Sequence, residues 1–212
     1  DNTLLDRHAG FRLFCRELYH TSSLIRRSHS EEDALALMAT FDGDGGRSRY
    51  DFFNDLMRQW PGVFQDLEQA MDVYLATYPR LLVLEPETRD LLEDLQDRSV
   101  PTAIVTNGGS IMQRSKINES GLYGLVQAVT VSGEVGVVKP NRGIFERALA
   151  DIQAVPTAAL FVGDNPDADI LGAKSLGLSA AWVSLGREWP YPDRLPDHVV
   201  SHVSEVREIV LG

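Results

Sequence analysis

Residues 160–177, LFVGDNPDADILGAKSLG, contain the pattern that decides the fold. A short apolar run at 160–163 leads into an acidic turn with Asp164, Asp167 and Asp169, and apolar residues at helical spacing follow. A buried strand, a polar turn and a helix in this order form the repeating unit of a parallel sheet covered by helices. In such sheets ligands bind beyond the carboxyl ends of the strands, so the acidic turn is a candidate site.

The same alternation extends through the second part of the chain. Short β-rich runs occur at 102–106, 128–132, 159–163, 180–184 and 198–200. Helical patterns occur between or after them, at 87–98, 110–120, 141–153, 167–176 and 203–210. Because continuously apolar strands are buried on both faces, we predict a three-layer, Rossmann-like α/β domain with a parallel sheet, formed by residues 1–9 and 80–212.

Residues 10–79 have a different hydrophobic pattern. Apolar residues recur at helical spacing, with breaks at 42–46 and 60–62, and strand patterns are almost absent. We therefore predict an inserted α-helical domain. Its aromatic residues are expected in the core and its arginines at the surface: Phe11, Phe14, Phe52, Phe53 and Trp60 in the first group, and Arg12, Arg16, Arg26, Arg27, Arg47 and Arg49 in the second.

Composition and charge argue against several kinds of partner. The net charge of −11 argues against nucleic acid and anionic membranes, because both require a basic surface. No apolar run approaches the ~20 residues of a membrane span. Cys15 is the single cysteine, so no internal disulfide can form, which favours a cytoplasmic protein. Its helical spacing from Phe11 and Phe14 predicts a buried thiol, and we expect a monomer or a homodimer.

Three polar features lie where predicted strands end or helices begin, and each has an ordinary structural explanation. Thr106-Asn107-Gly108 could simply form a turn, Lys139 could be a solvated surface charge, and Asp164 could cap a helix. Together they supply a hydroxyl, glycine-rich backbone, an ammonium group and a carboxylate. That combination predicts a site for a phosphoryl group.

The acidic turn adds the expectation of a metal. One acid would suffice for a helix cap, and crowding Asp164, Asp167 and Asp169 into one turn is unfavourable without a cation. Hard oxygen ligands suit Mg²⁺. We therefore predict Mg²⁺ as the cofactor.

Taken together, these residues resemble the motifs of the haloacid dehalogenase (HAD) superfamily. The first motif of that family is Asp-x-Asp-x-Thr, and DNT at 1–3 is similar to its second half. TNG at 106–108 matches the second motif, Lys139 the third, and Asp164 with Asp169 the fourth. The motifs follow the family order and extend over essentially the whole chain.

The resemblance implies a helical cap at residues 10–79 and a Mg²⁺-dependent phosphomonoester hydrolase that acts on a small phosphorylated metabolite. An aspartate would attack phosphorus and form an aspartyl-phosphate. Asp1 would be the general acid and then the general base. The metal would be held by the nucleophile, the backbone carbonyl of Asp1 and the carboxylate of Asp164, with Asp169 behind them.

The remaining motif residues would bind the phosphoryl group by the same resemblance. Thr106 and the amides of Asn107 and Gly108 would contact its oxygens. Lys139 would neutralise the nucleophile and the phosphate, so that two anions can approach each other.

The family nucleophile would lie two residues before Asp1. A parallel sheet without its central strand would have two open edges and an exposed apolar slot. We therefore expect the intact protein to carry a preceding strand of roughly 5–10 residues. Its mass should then exceed the 23.5 kDa of residues 1–212.

Four alternatives stay open. A 2-haloacid dehalogenase of the same superfamily needs no metal and has no acid at the positions of Asp1 and Asp164, so these two acids favour phosphate chemistry. A phosphomutase would share the motifs. A phosphate-receiving signalling domain places its acidic ligands before the threonine and lysine, opposite to the order here. A binding module without catalysis would follow if the nucleophile were absent.

Overall fold

The computed structural model describes residues 1–212, which divide into two compact units. One comprises Asp1–Leu5 and Leu84–Gly212, and the other Asp6–Val83. The expected junctions at 9/10 and 79/80 differ from this division, because they fall inside the helical segments Arg7–Thr21 and Tyr78–Leu81. Hydrogen bonds within a helix keep each of these segments in a single unit.

The unit Asp6–Val83 is helical, as its sequence pattern predicts. Each of its five α-helices begins after an Asp or Ser side chain that accepts a hydrogen bond from a first-turn backbone N–H, which stabilises the helix start. No helix of the protein is both long and apolar enough to cross a bilayer. The helices of this unit are α1 (Arg7–Thr21), α2 (Ser23–Ser28), α3 (Glu31–Asp42), α4 (Arg49–Gln59) and α5 (Leu67–Thr77).

Aromatic side chains form the core of the helical unit. The expected set is buried: Phe11, Phe14, Phe52, Phe53 and Trp60. Cys15 is also buried, and burial raises the pKa of its thiol, which confirms an inert core cysteine.

One of the arginines expected at the surface does not lie there. The side chain of Arg49 is only 17% exposed and pairs with the carboxylate of Asp42. Its guanidinium carbon lies 4.9 Å from the ring centre of Phe11. The surface expectation was wrong for Arg49 because an ion pair and an aromatic face compensate for the loss of water.

The α/β unit contains five short strands, and each agrees with a predicted run to within one residue at either end. They are β1 (Ala103–Thr106), β2 (Ala128–Val131), β3 (Leu160–Gly163), β4 (Ser179–Val183) and β5 (His198–Val200). The helices are α6 (Pro86–Asp97), α7 (Ser110–Glu119), α8 (Ser132–Val135), α9 (Arg142–Asp151), α10 (Gly172–Ser175) and α11 (Val206–Leu211). A π-helical turn at Pro166–Leu171 precedes α10.

All strand pairs are parallel, as predicted, but they form two sheets rather than one. One sheet has the order β1-β2, and the other has the order β3-β4-β5. A cavity of about 870 Å³ is lined by residues of both β1 and β3, including Ile104, Val105, Phe161 and Val162. β1 and β3 are thus edge strands, and an apolar slot lies between them.

Candidate active site

Gly163 and Asp169 shape the acidic turn after β3. A Cβ atom at Gly163 would lie 2.5 Å from Cγ of Asp169, so the turn admits only glycine there. Oδ2 of Asp169 accepts a hydrogen bond from the backbone N–H of Asn165 at 3.0 Å. The Asn165 side chain accepts hydrogen bonds from the N–H groups of Asp167 and Ala168, which start the following helical turn. These contacts hold the turn at the carboxyl end of β3.

Lys139 contacts both β1 and the acidic turn after β3. Its Nζ lies 2.7 Å from Oδ1 of Asp169, and its side chain is 12% exposed. The same ammonium donates to the carbonyl oxygen of Val105 in β1 at 2.9 Å. Asn107 fixes the lysine backbone, since its Nδ2 donates to the Lys139 carbonyl and its Oδ1 accepts from the Lys139 N–H. The lysine is therefore held in place rather than solvated.

Side chains of α7 and α8 contact the carboxyl end of β1 and the turn that follows it. The Nε2 group of Gln113 in α7 donates to Thr106 Oγ1 and to the carbonyl oxygen of Asn107. The backbone N–H of Gly108 donates to Ser132 Oγ at 2.9 Å. Since the Gly108 amide already has an acceptor, the structure differs from the expectation that this amide binds phosphoryl oxygens.

Hydrogen-bond donors contact Asp164, but they do not fully compensate the negative charge of its carboxylate. Its Oδ1 accepts from Thr3 Oγ1 at 3.2 Å, and its Oδ2 lies 3.5 Å from Arg187 Nη2. Its carbonyl oxygen accepts from Trp182 Nε1 and Arg187 Nη2. Burial raises the pKa of Asp164 and Asp169 raises it further, although Arg187 and Thr3 act in the opposite direction. A cation beside Asp164 would therefore be favourable.

Asp1 lies among the same charged groups. Its Oδ2 pairs with Lys116 Nζ at 2.6 Å, and the Lys116 side chain is 9% exposed. The backbone nitrogen of Asp1 lies within electrostatic range of Lys116, Lys139, Asp164 and Asp169. All four charges therefore act on the backbone nitrogen of Asp1.

The structure thus brings Asp1, Thr106, Lys139, Asp164 and Asp169 to one edge of the α/β unit. It does not form the carboxylate cluster that the sequence suggested, because no group of three or more His, Cys, Asp or Glu side chains is placed to hold a metal ion. Asp169 pairs with Lys139 and Asp1 pairs with Lys116 instead. These ion pairs compensate Asp169 and Asp1, whereas Asp164 contacts Thr3 and Arg187.

A magnesium ion still suits the donors at this edge. Mg²⁺ keeps several waters and is usually bound through one or two carboxylates and substrate phosphate. Asp164 provides a carboxylate whose pKa is raised by burial and by Asp169, so a nearby cation would favour its ionised form. The carbonyl oxygen of Asp1 and the carboxylate of Asp164 are therefore a fitting, partial ligand set.

The sequence reading missed Gln113, Lys116 and Arg187. Gln113 and Lys116 lie three residues apart on one face of α7, and both are buried. Polar residues at this spacing usually indicate a solvated face, and only the buried Ile117 beside Lys116 hints otherwise. Arg187 follows β4 in a turn without a periodic pattern, so no signal pointed to it.

A parallel α/β core with charged side chains beyond its strand ends defines an enzyme-like scaffold with a site for an anionic ligand. Residues 1–177 match the sequence pattern of the haloacid dehalogenase-like hydrolases. The chain belongs to this hydrolase family, and the resemblance drawn from the motifs is confirmed.

Proteins with named activities are similar to this chain. The chain is similar to phosphoserine phosphatase of Thermus thermophilus, with 37% identity over 129 residues, which cover 61% of this chain and 51% of that protein. It is similar to glyceraldehyde 3-phosphate phosphatase of Methanothermobacter thermautotrophicus, with 30% identity and coverage of 85% and 83%. It is also similar to (S)-2-haloacid dehalogenase 2 of a Pseudomonas species, with 28% identity and coverage of 76% and 77%. The chain thus spans about half the length of the first of these relatives.

A solved structure supports the fold over the full chain. The HAD phosphatase from Thermococcus onnurineus superposes with a TM-score of 0.71 at 28% identity. The match covers 100% of this chain and 95% of the other.

Proposed function

We propose that this protein is a Mg²⁺-dependent phosphomonoester hydrolase acting on a small phosphorylated metabolite. The observation that carries the proposal is that Lys139, Thr106, Asp1 and Asp164 all line one cavity of the α/β unit. This set offers an ammonium, a hydroxyl, a proton-transfer group and a metal ligand at the same cavity. Relatives named as phosphatases of small metabolites agree with it.

Lys139 and Thr106 bind the phosphoryl group in this proposal. The ammonium of Lys139 stands between Val105 and Asp169, so its position is set before a ligand arrives. A preorganised charge stabilises the trigonal-bipyramidal transition state without reorganisation. Asp169 acts through Lys139, because its carboxylate contacts that lysine.

Asp1 is the proposed proton-transfer group. It donates a proton to the leaving alcohol oxygen as the ester P–O bond breaks, and then takes a proton from the water that hydrolyses the aspartyl-phosphate. Lys116, at 2.6 Å from its Oδ2, favours the ionised form that the second step uses.

The nucleophile of this mechanism is an aspartate on an extended segment in the slot between β1 and β3. The slot is bounded by two open strand edges and by apolar side chains such as Val105 and Val162, which suits an extended apolar segment. Such a segment would pair with both sheets and end beside Lys139 and Asp164. Its carboxylate would then face the phosphorus bound by Thr106 and Lys139.

Magnesium would be held by the carboxylate of Asp164 and the carbonyl oxygen of Asp1. When bound, it offsets negative charge on the transferring phosphoryl group as a Lewis acid. Thr3 and Arg187 keep Asp164 oriented from the opposite side, through its Oδ1 and its carbonyl oxygen.

Phosphate release from a panel of phosphomonoesters tests the proposal. The panel should include phosphoserine and glyceraldehyde 3-phosphate and use full-length protein with and without Mg²⁺. We expect release that a chelator and Asp1→Asn both abolish, while Asp193→Asn, at an exposed position, serves as the matched control. Hydrolysis indifferent to the chelator and to Asp1→Asn would refute the mechanism.

The dehalogenase is the second candidate, because one relative carries that activity in its name. Halide release from 2-haloacids without metal would favour it over the phosphatase. Movement of phosphate between positions of a sugar would instead indicate a phosphomutase. Ligand binding without turnover in the full-length protein would indicate a binding module.

A further inference from the structure

Gln113 is a buried amide that touches the phosphate-binding end of β1. The residue is 5% exposed and belongs to α7. Its Nε2 donates to the carbonyl oxygen of Asn107 at 2.9 Å and also to Thr106 Oγ1. The two hydrogens of this NH₂ group are therefore donated to two consecutive residues, Thr106 and Asn107.

The contact with Asn107 determines which end of the amide faces the site. A carbonyl oxygen can only accept hydrogen bonds, so the group beside the Asn107 carbonyl must be the NH₂ end of Gln113. The same NH₂ group then meets Thr106 Oγ1 as a donor. Thr106 is consequently an acceptor in this contact.

An accepting hydroxyl must direct its own proton elsewhere. The other acceptor near Thr106 Oγ1 is the carbonyl oxygen of Asn107 at 3.5 Å, the outer limit of a hydrogen bond. The threonine proton is therefore available to a ligand at the strand end. A phosphoryl oxygen bears no proton when ionised and can only accept, so it matches this orientation.

The local structure maintains Gln113 at an energetic cost. Its Oε1 is buried without a hydrogen-bond partner, which is unfavourable for folding. Gly108 makes room for the side chain: its φ is +144°, and a Cβ there would lie 2.9 Å from Cγ of Gln113. A buried amide with an unpartnered oxygen is a poor choice for stability, so its use at this place points to a functional requirement.

We propose that Gln113 is a positioning residue that fixes the Thr106 hydroxyl as a proton donor toward the phosphoryl group. It contacts no substrate atom itself. The proposal rests on the proposed phosphatase function and adds to it the residue that sets the polarity of the Thr106 contact.

A double-mutant cycle tests whether Gln113 acts through the Thr106 hydroxyl. Binding of orthophosphate, measured by calorimetry, and KM for a hydrolysed ester are compared in Gln113→Met, Thr106→Val and the double variant of the full-length protein. Gln113→Met keeps the side-chain length and should weaken binding about threefold to tenfold, as expected for one neutral hydrogen bond. Thr106→Val removes the hydroxyl and should weaken it about tenfold to hundredfold.

The decisive result is whether the effect of Gln113→Met on binding depends on the residue at position 106. We expect Gln113→Met to have almost no further effect in Thr106→Val, but its full effect in Thr106→Ser, which keeps a hydroxyl. The midpoint temperature of Gln113→Met should stay close to that of the unmodified protein, because the loss of two hydrogen bonds is offset by removal of an unpartnered buried oxygen. Equal losses of binding in both backgrounds, or binding that falls together with thermal stability, would overturn the inference while leaving the phosphatase function intact. A full-length protein that neither binds orthophosphate nor hydrolyses any ester would overturn both.

Discussion

Asp42 in the helical unit and Asp164 in the α/β unit are both carboxylates beside arginine, yet their surroundings act on them in opposite directions. Asp42 accepts two hydrogen bonds from Arg7 Nη2, at 2.6 and 2.8 Å, and another from Arg49. Burial raises the pKa of Asp42, but the two guanidinium groups outweigh burial and hold it below the ordinary value. Asp164 lies 3.5 Å from Arg187, and its pKa is raised.

The difference follows from what completes each cluster. Arg49 packs over the rings of Phe11 and Phe52, at 4.9 and 5.2 Å, so the charges around Asp42 are enclosed and balanced by the chain itself. Arg187 beside Asp164 also lies over a ring, that of Trp182 at 5.8 Å, but its side chain is 46% exposed, and burial and Asp169 work against the ionisation of Asp164. The charge of Asp42 is compensated within the helical unit, whereas that of Asp164 is compensated less fully, which agrees with the ligand role proposed for it.

Removing the charge of Asp42 should produce the largest effect. Asp42→Asn leaves Arg7 and Arg49, which are 13% and 17% exposed, without their counter-ion. Breaking a buried pair in this way costs about 3–5 kcal/mol of unfolding free energy. Urea denaturation measures this loss. Asp44→Asn is the matched control, because Asp44 is 87% exposed and should change stability by less than about 0.5 kcal/mol. Equal losses in both variants would contradict the role given to the Asp42 cluster.

Removing the charge of Asp164 should mainly affect activity. If the proposed function holds, Asp164→Asn lowers kcat/KM at least about 100-fold and weakens the dependence on Mg²⁺, because a metal ligand matters no less than the groups behind it. Asp167→Asn, in the same turn, is the control, since that carboxylate binds the Tyr191 hydroxyl at 2.6 Å and is exposed. An unchanged magnesium titration in Asp164→Asn would place the metal elsewhere.

The sequence predicted the α/β unit well because its signals are local. Each strand is a short apolar run, and β3 ends in the Gly163-Asp164 step where strand and turn residues change abruptly. Parallel strands end at one edge, so the nearness of Thr106, Lys139 and Asp164 followed from topology rather than from side-chain detail.

The ion pairs inside each cluster could not be predicted from the sequence in the same way. Lys116 and Arg49 have ordinary surface residue types, and their burial depends on ion pairs with Asp1, 115 residues away, and with Asp42, seven residues away. Nothing in residues 42–46 distinguishes a buried carboxylate from a turn residue. Ion pairs between remote segments are properties of tertiary packing, and for that reason the sequence did not show that Asp169 would pair with Lys139 and Asp1 with Lys116.

The comparison also predicts that Asp164→Asn stabilises the folded chain. Its raised pKa means that ionisation at neutral pH is less favourable in the folded state than in the unfolded state. Replacing it with a neutral amide of similar shape should raise the unfolding free energy by about 1 kcal/mol, a typical gain at functional sites. Thermal and urea unfolding without added metal measure it, and a loss of stability would contradict the assignment of uncompensated charge.

The pH dependence of stability should separate the two carboxylates by sign. The folded-state pKa of Asp164 lies above the ordinary value of about 3.9, so its destabilising contribution is absent below that pH and appears as pH rises through the folded pKa. The pKa of Asp42 is lowered, so its stabilising contribution is present above about pH 3.9 and is lost as pH falls through the folded value.

Urea unfolding at several pH values from about 7 down to about 3 measures both contributions. Near pH 7, the unfolding free energy of Asp164→Asn should be higher than that of the unmodified protein, and that of Asp42→Asn should be lower. Both variants should converge on the unmodified protein in acid, and Asp164→Asn should do so at the higher pH. Convergence in the reverse order would mean that the two pKa shifts have been assigned to the wrong carboxylates.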